Sequence, residues 1–169
     1  NNALTASNAD NNTAVGAFAG DVIDSGQNNT TVGASSMGAT TSGSDNSAFG
    51  HASLNANTTG SNNVAIGKSA LVANTTADNN TAVGYSSLSA NTTGTNNVSL
   101  GYQTMSANTT GASNTALGRQ ALSANTTGNN NVAIGYNVLD ANTTASENTA
   151  VGYNSLTANT TGTPNVAFG

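Results

Sequence analysis

Large apolar residues recur along the chain at one fixed interval, each directly before a glycine. These glycines are 17 residues apart over nine intervals without insertion or deletion, and an asparagine precedes each apolar residue by three positions. The ten glycines are Gly16, Gly33, Gly50, Gly67, Gly84, Gly101, Gly118, Gly135, Gly152 and Gly169. An unvarying period with short polar links predicts one structural unit per repeat, stacked on its neighbours. Residues 1–169 are therefore expected to form a single repeat array, with residues 1–15 as a degenerate first coil.

The residues before each glycine alternate in the manner of a strand. In the repeat that ends at Gly67, Val64 and Ile66 share one face and Ala65 lies on the other. β-Branched residues favour strands, whereas a helix of about ten residues that contains Asn-Thr-Thr would be marginal. We therefore predict an all-β fold, a parallel β-solenoid of about ten coils. A coil spacing of about 4.8 Å gives nine steps a length of roughly 43 Å.

Fixed positions within the repeat also predict an interior. With the glycine as position 0, Ile66 and Leu71, at positions 16 and 4, and their equivalents are predicted to point inward and stack. On this interpretation Ile134→Asp buries an unpaired charge and destroys cooperative unfolding. Glycines at positions 0 and 10 are predicted to form two corners. Asparagines at positions 7 and 13 are predicted to exchange side-chain amide hydrogen bonds along the stack.

Composition narrows the possible partners. Charged residues make up 5% of the chain and the net charge is only −5, which argues against disorder driven by charge repulsion. Two Lys or Arg residues in the whole chain exclude a groove that follows phosphates, so nucleic acid is not expected as a partner. Cysteine is absent, so no disulfide is possible. No stretch approaches the roughly 18 apolar residues of a membrane span and no signal peptide is evident, so we expect no membrane contact within this segment.

The residues that usually carry catalysis are nearly missing. One histidine and no cysteine exclude most nucleophile and metal constellations. His51 belongs to a column of surface residues, and the many Ser and Thr residues have no base at a fixed offset. Asp21, Asp24 and Asp45 could be imagined around calcium, but their spacing matches no known loop and solvated turn carboxylates are the simpler interpretation. The sequence therefore predicts a non-enzyme without cofactor or metal.

The segment Asn131–Tyr136, Asn-Val-Ala-Ile-Gly-Tyr, is nearly repeated at 63–68 and 80–85. It resembles the head repeat of the trimeric autotransporter adhesins, the YadA-like head, and similar arrays occur in phage tail fibres. The resemblance covers essentially the whole chain. It implies a left-handed parallel β-roll, three chains about one axis, and a position on a bacterial surface where host matrix or other cells are bound. Two features depart from the family: each unit carries an extra Ala-Asn-Thr-Thr-Gly arm, and no neck, stalk or anchor is visible.

Two columns of side chains are candidate interaction sites. Position 1 is a possible recognition column, or a column that packs against a neighbouring chain; it carries His51, Lys68, Tyr85, Tyr102, Arg119, Tyr136 and Tyr153. Stacking at the coil spacing predicts cation–π contacts within it. Position 7 begins an Asn-Thr-Thr run, which is a possible glycosylation acceptor or a structural ladder. Its asparagines are Asn57, Asn74, Asn91, Asn108, Asn125, Asn142 and Asn159.

These features predict an extracellular structural and adhesive rod on a cell surface or virion, with a protein or glycan as ligand. The chain is expected to form a homotrimer or an end-to-end homo-oligomer. Since the repeat array stops in register, we expect a slice of a longer fibre rather than a subunit that stacks into a filament. A spacer or receptor-binding segment of a phage tail fibre is the main alternative. An ice-binding solenoid is less favoured, because alternation is predicted to send Thr58 and Thr59 to opposite sides.

Overall fold

The computed structural model describes residues 10–169, in which every regular element is a short β-strand. The ten strands are β1 (Thr13–Val15), β2 (Thr30–Val32), β3 (Ser47–Phe49), β4 (Val64–Ile66), β5 (Thr81–Val83), β6 (Val98–Leu100), β7 (Thr115–Leu117), β8 (Val132–Ile134), β9 (Thr149–Val151) and β10 (Val166–Phe168). They form one parallel sheet in chain order, from β1 to β10. The all-β parallel solenoid predicted from the sequence is confirmed. Of the degenerate first coil, residues 1–9 lie outside the described residues.

Successive coils are in strict register. Ala65 pairs with Ala82 and Ile66 pairs with Val83, so each partner lies one repeat further along the chain. The turns follow the same rule, since the amide of Thr58 donates to the carbonyl of Thr75 at 2.8 Å. Like residues therefore stand directly above like residues around most of the coil. This geometry is the physical reason for the unvarying 17-residue period, because an insertion in one coil would break its pairing with both neighbours.

The interior is built from one large side chain per coil. Leu71, at position 4, is fully buried, and so is the central strand residue Ala65, at position 15. Ile66, in contrast, is 41% exposed. The predicted inward Leu column is confirmed, but the prediction that Ile66 and its equivalents point inward is wrong. The strand alternates as expected, with its small residue inside and its two larger residues outside.

Space explains this orientation. The Leu or Met at position 4 fills a thin interior, so the strand opposite it can direct only a small side chain inward. The inward strand residue is small throughout: Ala14, Thr31, Ala48, Ala65, Ala82, Ser99, Ala116, Ala133, Ala150 and Ala167. Ile134 is likewise exposed. The sequence-based expectation that Ile134→Asp buries a charge is therefore wrong.

Each coil turns through left-handed backbone conformations that could not be predicted from the sequence. Leu71 has φ 51°, Ser69 has φ 58° and Asn62 has φ 59°, and the same three positions repeat in the other coils. The corner glycine Gly67, with φ 129°, confirms the prediction for position 0. Gly60, at position 10, does not have a positive φ and directly follows a bend at Thr58 and Thr59, so this second corner does not use a left-handed glycine. Gly60 is buried and packed closely against the backbone of the next coil.

Gly84→Ala is expected to destabilise the chain by about 2 kcal/mol, because its φ of 129° lies where residues with a Cβ are strained. A Cβ there would also lie only 2.7 Å from the carbonyl carbon of Gly101. Gly94→Ala, in the same coil, is the matched control: its Cβ would be equally close to a carbonyl oxygen of the next coil, that of Gly111, but its φ is not positive and its column already contains Ala77 and Ala145. Urea unfolding of both variants measures the difference. Equal loss of stability in the two would contradict this account of position 0.

Two ladders of asparagine run along the solenoid, one at position 13 from Asn12 to Asn165 and one at position 7 from Asn57 to Asn159, and both are buried over most of their length. At position 13, the side-chain amide of Asn97 donates to Asn80 Oδ1 at 3.2 Å and to the carbonyl of Gly111 at 2.9 Å. The backbone amide of Asn97 also donates to Asn80 Oδ1, at 3.0 Å. At position 7, Asn74 Nδ2 donates to Asn57 Oδ1 at 2.9 Å. The predicted ladders are confirmed, and they satisfy polar groups that the thin apolar interior leaves inside.

The position 7 ladder begins at Asn57, and the same position in the preceding coil is occupied by Thr40. Its Oγ1 is buried and has no hydrogen-bond partner. Thr40→Asn is expected to extend the ladder by giving Asn57 Nδ2 an acceptor, and to stabilise the chain by about 1 kcal/mol. Ser42→Asn, at an exposed neighbouring site, is the control and should change little. A destabilised T40N in thermal unfolding would show that this end of the solenoid cannot accommodate the amide.

Candidate interaction surfaces

The tyrosines of position 1 form stacked pairs on the outside of the rod. The rings of Tyr85 and Tyr102 have centroids 5.4 Å apart and planes that differ by 14°. Tyr136 and Tyr153 stack in the same way, at 5.3 Å and 9°. All four rings are exposed at their edges. The structure therefore brings the predicted column together, and within each pair one ring face lies against the other.

Arg119 joins the two pairs into one column. Its guanidinium carbon lies 5.6 Å from the Tyr102 ring centroid and 5.2 Å from that of Tyr136, and Nη1 donates to the Tyr136 hydroxyl at 2.6 Å. Lys68 Nζ lies 6.0 Å from the Tyr85 centroid. These contacts confirm the cation–π stacking predicted from the coil spacing. His51 occupies the same column one coil before Lys68 and is exposed.

The outward side chains of the strands form a second surface, which we call the outer stripe. It consists of the first and third residue of each strand from β1 to β10, for example Val64 and Ile66. The third residue is apolar in every strand: Val15, Val32, Phe49, Ile66, Val83, Leu100, Leu117, Ile134, Val151 and Phe168. Most of these side chains are exposed or half-buried at the surface. The first residue is Thr or Ser in six strands and Val in four, so the continuous apolar part of the stripe is the column of third residues. An exposed apolar column that continues over ten coils makes the stripe a candidate surface for binding another molecule.

Sequence reasoning missed the outer stripe because it assigned these residues to the core. The signal that could have identified it is the column of small residues at the strand centre. A strand with only Ala, Ser or Thr on one face and Val, Ile, Leu or Phe on the other fits a thin interior only one way.

A third surface carries threonine. Thr58 and Thr59 lie in a bend rather than a strand, and neither points into the interior. Thr58 Oγ1 donates to the carbonyl of Thr75 at 3.0 Å. Thr58 is half-buried and Thr59 is exposed, and because both lie in a bend, strand alternation is not what orients their side chains. The exposed column at position 9 contains Thr59, Thr76, Thr93, Thr110, Thr127, Thr144 and Thr161.

The asparagines of the Asn-Thr-Thr runs lie inside the solenoid rather than on a decorated edge. Asn57, Asn74, Asn91, Asn108, Asn125 and Asn142 are fully buried, and Asn159 is half-buried near the end of the stack. In each of these asparagines the Nδ2 atom, to which a glycan would be attached, donates a hydrogen bond. For example, Asn108 Nδ2 donates to Asn91 Oδ1 and to the Gly111 carbonyl, both at 2.9 Å. A glycan would have to displace both bonds. The ladder interpretation is the one that this geometry supports.

One of the three aspartates considered above as calcium ligands, Asp45, makes a hydrogen bond to the preceding coil: its Oδ1 accepts from Asn28 Nδ2 at 3.1 Å. Within residues 10–169 there is no group of three or more His, Asp or Glu side chains that could hold a metal ion. The same residues enclose no cavity. They also include no helix long and apolar enough to cross a membrane.

No protein-family model, no curated protein and no solved structure matches this chain.

Proposed function

We propose that the chain is an extracellular, non-catalytic rod with structural and adhesive roles, in which several copies stand side by side. The observation that carries the proposal is the continuity of the stack. One parallel sheet and the position 13 asparagine ladder run along the described residues, and the position 7 ladder adds hydrogen bonds from Asn57 to Asn159, so each coil is bonded to the next along the axis. The outer stripe supports side-by-side association, because such an apolar surface is stabilised when another chain covers it.

Pulling the chain from its two ends tests the structural role. A stack of equal coils, each in contact only with its neighbours, should unfold one coil at a time. Each step should release roughly 50 Å of contour length, which corresponds to one repeat of extended chain less its folded height. Smooth extension without force steps would show that the chain does not act as a stiff rod.

The adhesive role needs a separate test. Beads that carry the chain should capture at least one member of a panel of extracellular-matrix proteins and glycans, above beads that carry an unrelated polar protein. The threonine column and the other surfaces away from the outer stripe remain available for such a ligand. If no member of the panel is captured, the adhesive role fails and a spacer role is left, as in a phage fibre.

The exposed threonine column supports a second candidate, binding to ice. It places a hydroxyl and a methyl group at each of seven successive coils, with a regular spacing of about 4.8 Å. Thermal hysteresis of the chain, compared with that of a Thr93→Tyr/Thr110→Tyr variant, tests this candidate. Ice binding predicts hysteresis that the variant loses, and the absence of hysteresis in the native chain removes the candidate.

A further inference from the structure

The tyrosines are the side chains of this protein that a surface oxidant reaches most readily. The sequence contains no tryptophan and no cysteine, and the two methionines, Met37 and Met105, are fully buried. Thiols and thioethers are the groups that oxidants usually attack when they are exposed. All four tyrosines, in contrast, are at least 37% exposed. An oxidant at the surface of the rod therefore meets phenol rings rather than sulfur.

These four tyrosines form two pairs whose rings are already in contact. The ring centroids of Tyr85 and Tyr102 are 5.4 Å apart, and those of Tyr136 and Tyr153 are 5.3 Å apart. Both separations are those of direct aromatic contact. The backbone holds the members of a pair in register, since the amide of Gln103 donates to the carbonyl of Tyr85 at 2.9 Å. Register and nearly parallel planes bring like atoms of the two rings near one another.

Arg119 separates the two pairs. It lies in the coil between Tyr102 and Tyr136, with its guanidinium carbon 5.6 Å and 5.2 Å from the two ring centroids. Tyr102 and Tyr136 are therefore two coils apart, about 10 Å. The side chain between them has no phenol that could be oxidised. Each tyrosine thus has one phenol partner within reach, and the two pairs are expected to react independently.

We propose that each stacked pair is a site of oxidative cross-linking, in which a dityrosine bond ties two successive coils together. Each phenol gives one electron and one proton to an oxidant of the peroxidase class, which reduces hydrogen peroxide to water. The two phenoxyl radicals form a carbon–carbon bond between the ring carbons ortho to their oxygens. The hydrogens on those two carbons then move to the oxygens, which restores both phenols. One link consumes one hydrogen peroxide, yields two water molecules and removes two hydrogen atoms from the chain.

The exposure of both pairs makes this bond accessible. A stacked arrangement is not yet that of a biaryl, so the rings must turn about their side-chain bonds before the ortho carbons meet. Rings at the surface of the rod have that freedom, whereas rings packed in a core do not. The cross-link rests on the proposed extracellular position only for the supply of the oxidant.

Trypsin separates the two pairs, because the basic residues of the chain are Lys68 and Arg119. Digestion of the unfolded chain gives the peptides 69–119 and 120–169, each with one pair of tyrosines. The folded monomer is first treated with a peroxidase and hydrogen peroxide. Both peptides should then be lighter by two hydrogen atoms and show dityrosine fluorescence. A covalent joint between the two peptides, links only between different chains, or no link at all would overturn the proposal.

Tyr102→Phe is the matched variant, because phenylalanine keeps a ring in the stack and removes the phenol. Circular dichroism should match that of the native chain. The link in peptide 69–119 should be lost, while the link in 120–169 should form as before. If Tyr85 of this variant still formed a link within its own chain, stacking would not select the partner and the proposal would be wrong.

Pulling the oxidised chain measures what the links do to the rod. A bond between Tyr85 and Tyr102 closes a loop of one repeat, which force can no longer extend. The oxidised chain should therefore unfold with two steps fewer than the untreated chain. An equal number of steps would show that the links do not tie successive coils. The peptide map does not depend on pulling, so smooth extension of the untreated chain would remove the rod and leave the cross-linking sites standing.

Discussion

Leu139→Asp is expected to abolish cooperative unfolding, whereas Ile134→Asp should change the stability of the monomer by less than about 1 kcal/mol. The two residues lie in one coil, five positions apart, and Leu139 is fully buried while Ile134 is 38% exposed. A carboxylate at 139 would replace one link of the stacked apolar column and would have no partner there, which costs more than about 4 kcal/mol.

Urea unfolding followed by circular dichroism, at concentrations where the chain is monomeric, measures the stability of Leu139→Asp and Ile134→Asp. Leu139→Ala is a milder companion, expected to lose about 2–5 kcal/mol through the cavity it leaves. If Ile134→Asp were as damaging as Leu139→Asp in the monomer, the outer stripe would be part of the core. At higher concentrations Ile134→Asp should instead weaken association, because it places a charge in the outer stripe.

Asn97→Ala is expected to destabilise the chain by about 3 kcal/mol, because its side chain connects two coils. Asn97 Oδ1 accepts from the backbone amide of Asn114 at 3.0 Å and from Asn114 Nδ2 at 3.2 Å. Without the acceptor, a buried backbone amide and a buried amide hydrogen of Asn114 lose their partner. The neighbouring exposed Asn96→Ala should cost about 1 kcal/mol or less, since it keeps the ladder and adds only left-handed strain.

Amide hydrogen exchange of the two variants locates the effect. Asn97→Ala should accelerate exchange in the coils on either side, while distant coils stay protected, as expected when each coil contacts only its neighbours. Wild-type stability and exchange in Asn97→Ala would mean that the ladder does not hold the coils together.

Much of the fold follows from the sequence because its period is exceptionally regular. The 17-residue interval predicts the parallel register, Leu71 marks the interior column, and Asn97 marks a ladder that only stacking can satisfy. The direction in which Ile66 points does not follow from hydrophobicity, because a residue at an intermolecular surface can be as apolar as one in a core. The left-handed conformation of Leu71 could not be predicted from the sequence either. Local propensity disfavours that conformation for leucine, and only the packing of the whole coil compensates for its cost.

Of the candidate surfaces, one could be predicted from the sequence and another could not. The stacking of Tyr102, Arg119 and Tyr136 could be predicted, because it needs only the period and the coil spacing. The outer stripe could not, because its identification depends on which strand face is inside.

The distance between spin labels at Thr59→Cys and Thr144→Cys tests the central claim most directly. These exposed residues occupy the same position five coils apart, and the chain offers no other cysteine. Stacking in register predicts a narrow distribution centred at about 24 Å, measured in an excess of unlabelled chain. A broad distribution near the roughly 50 Å expected for 85 residues of flexible chain would contradict it.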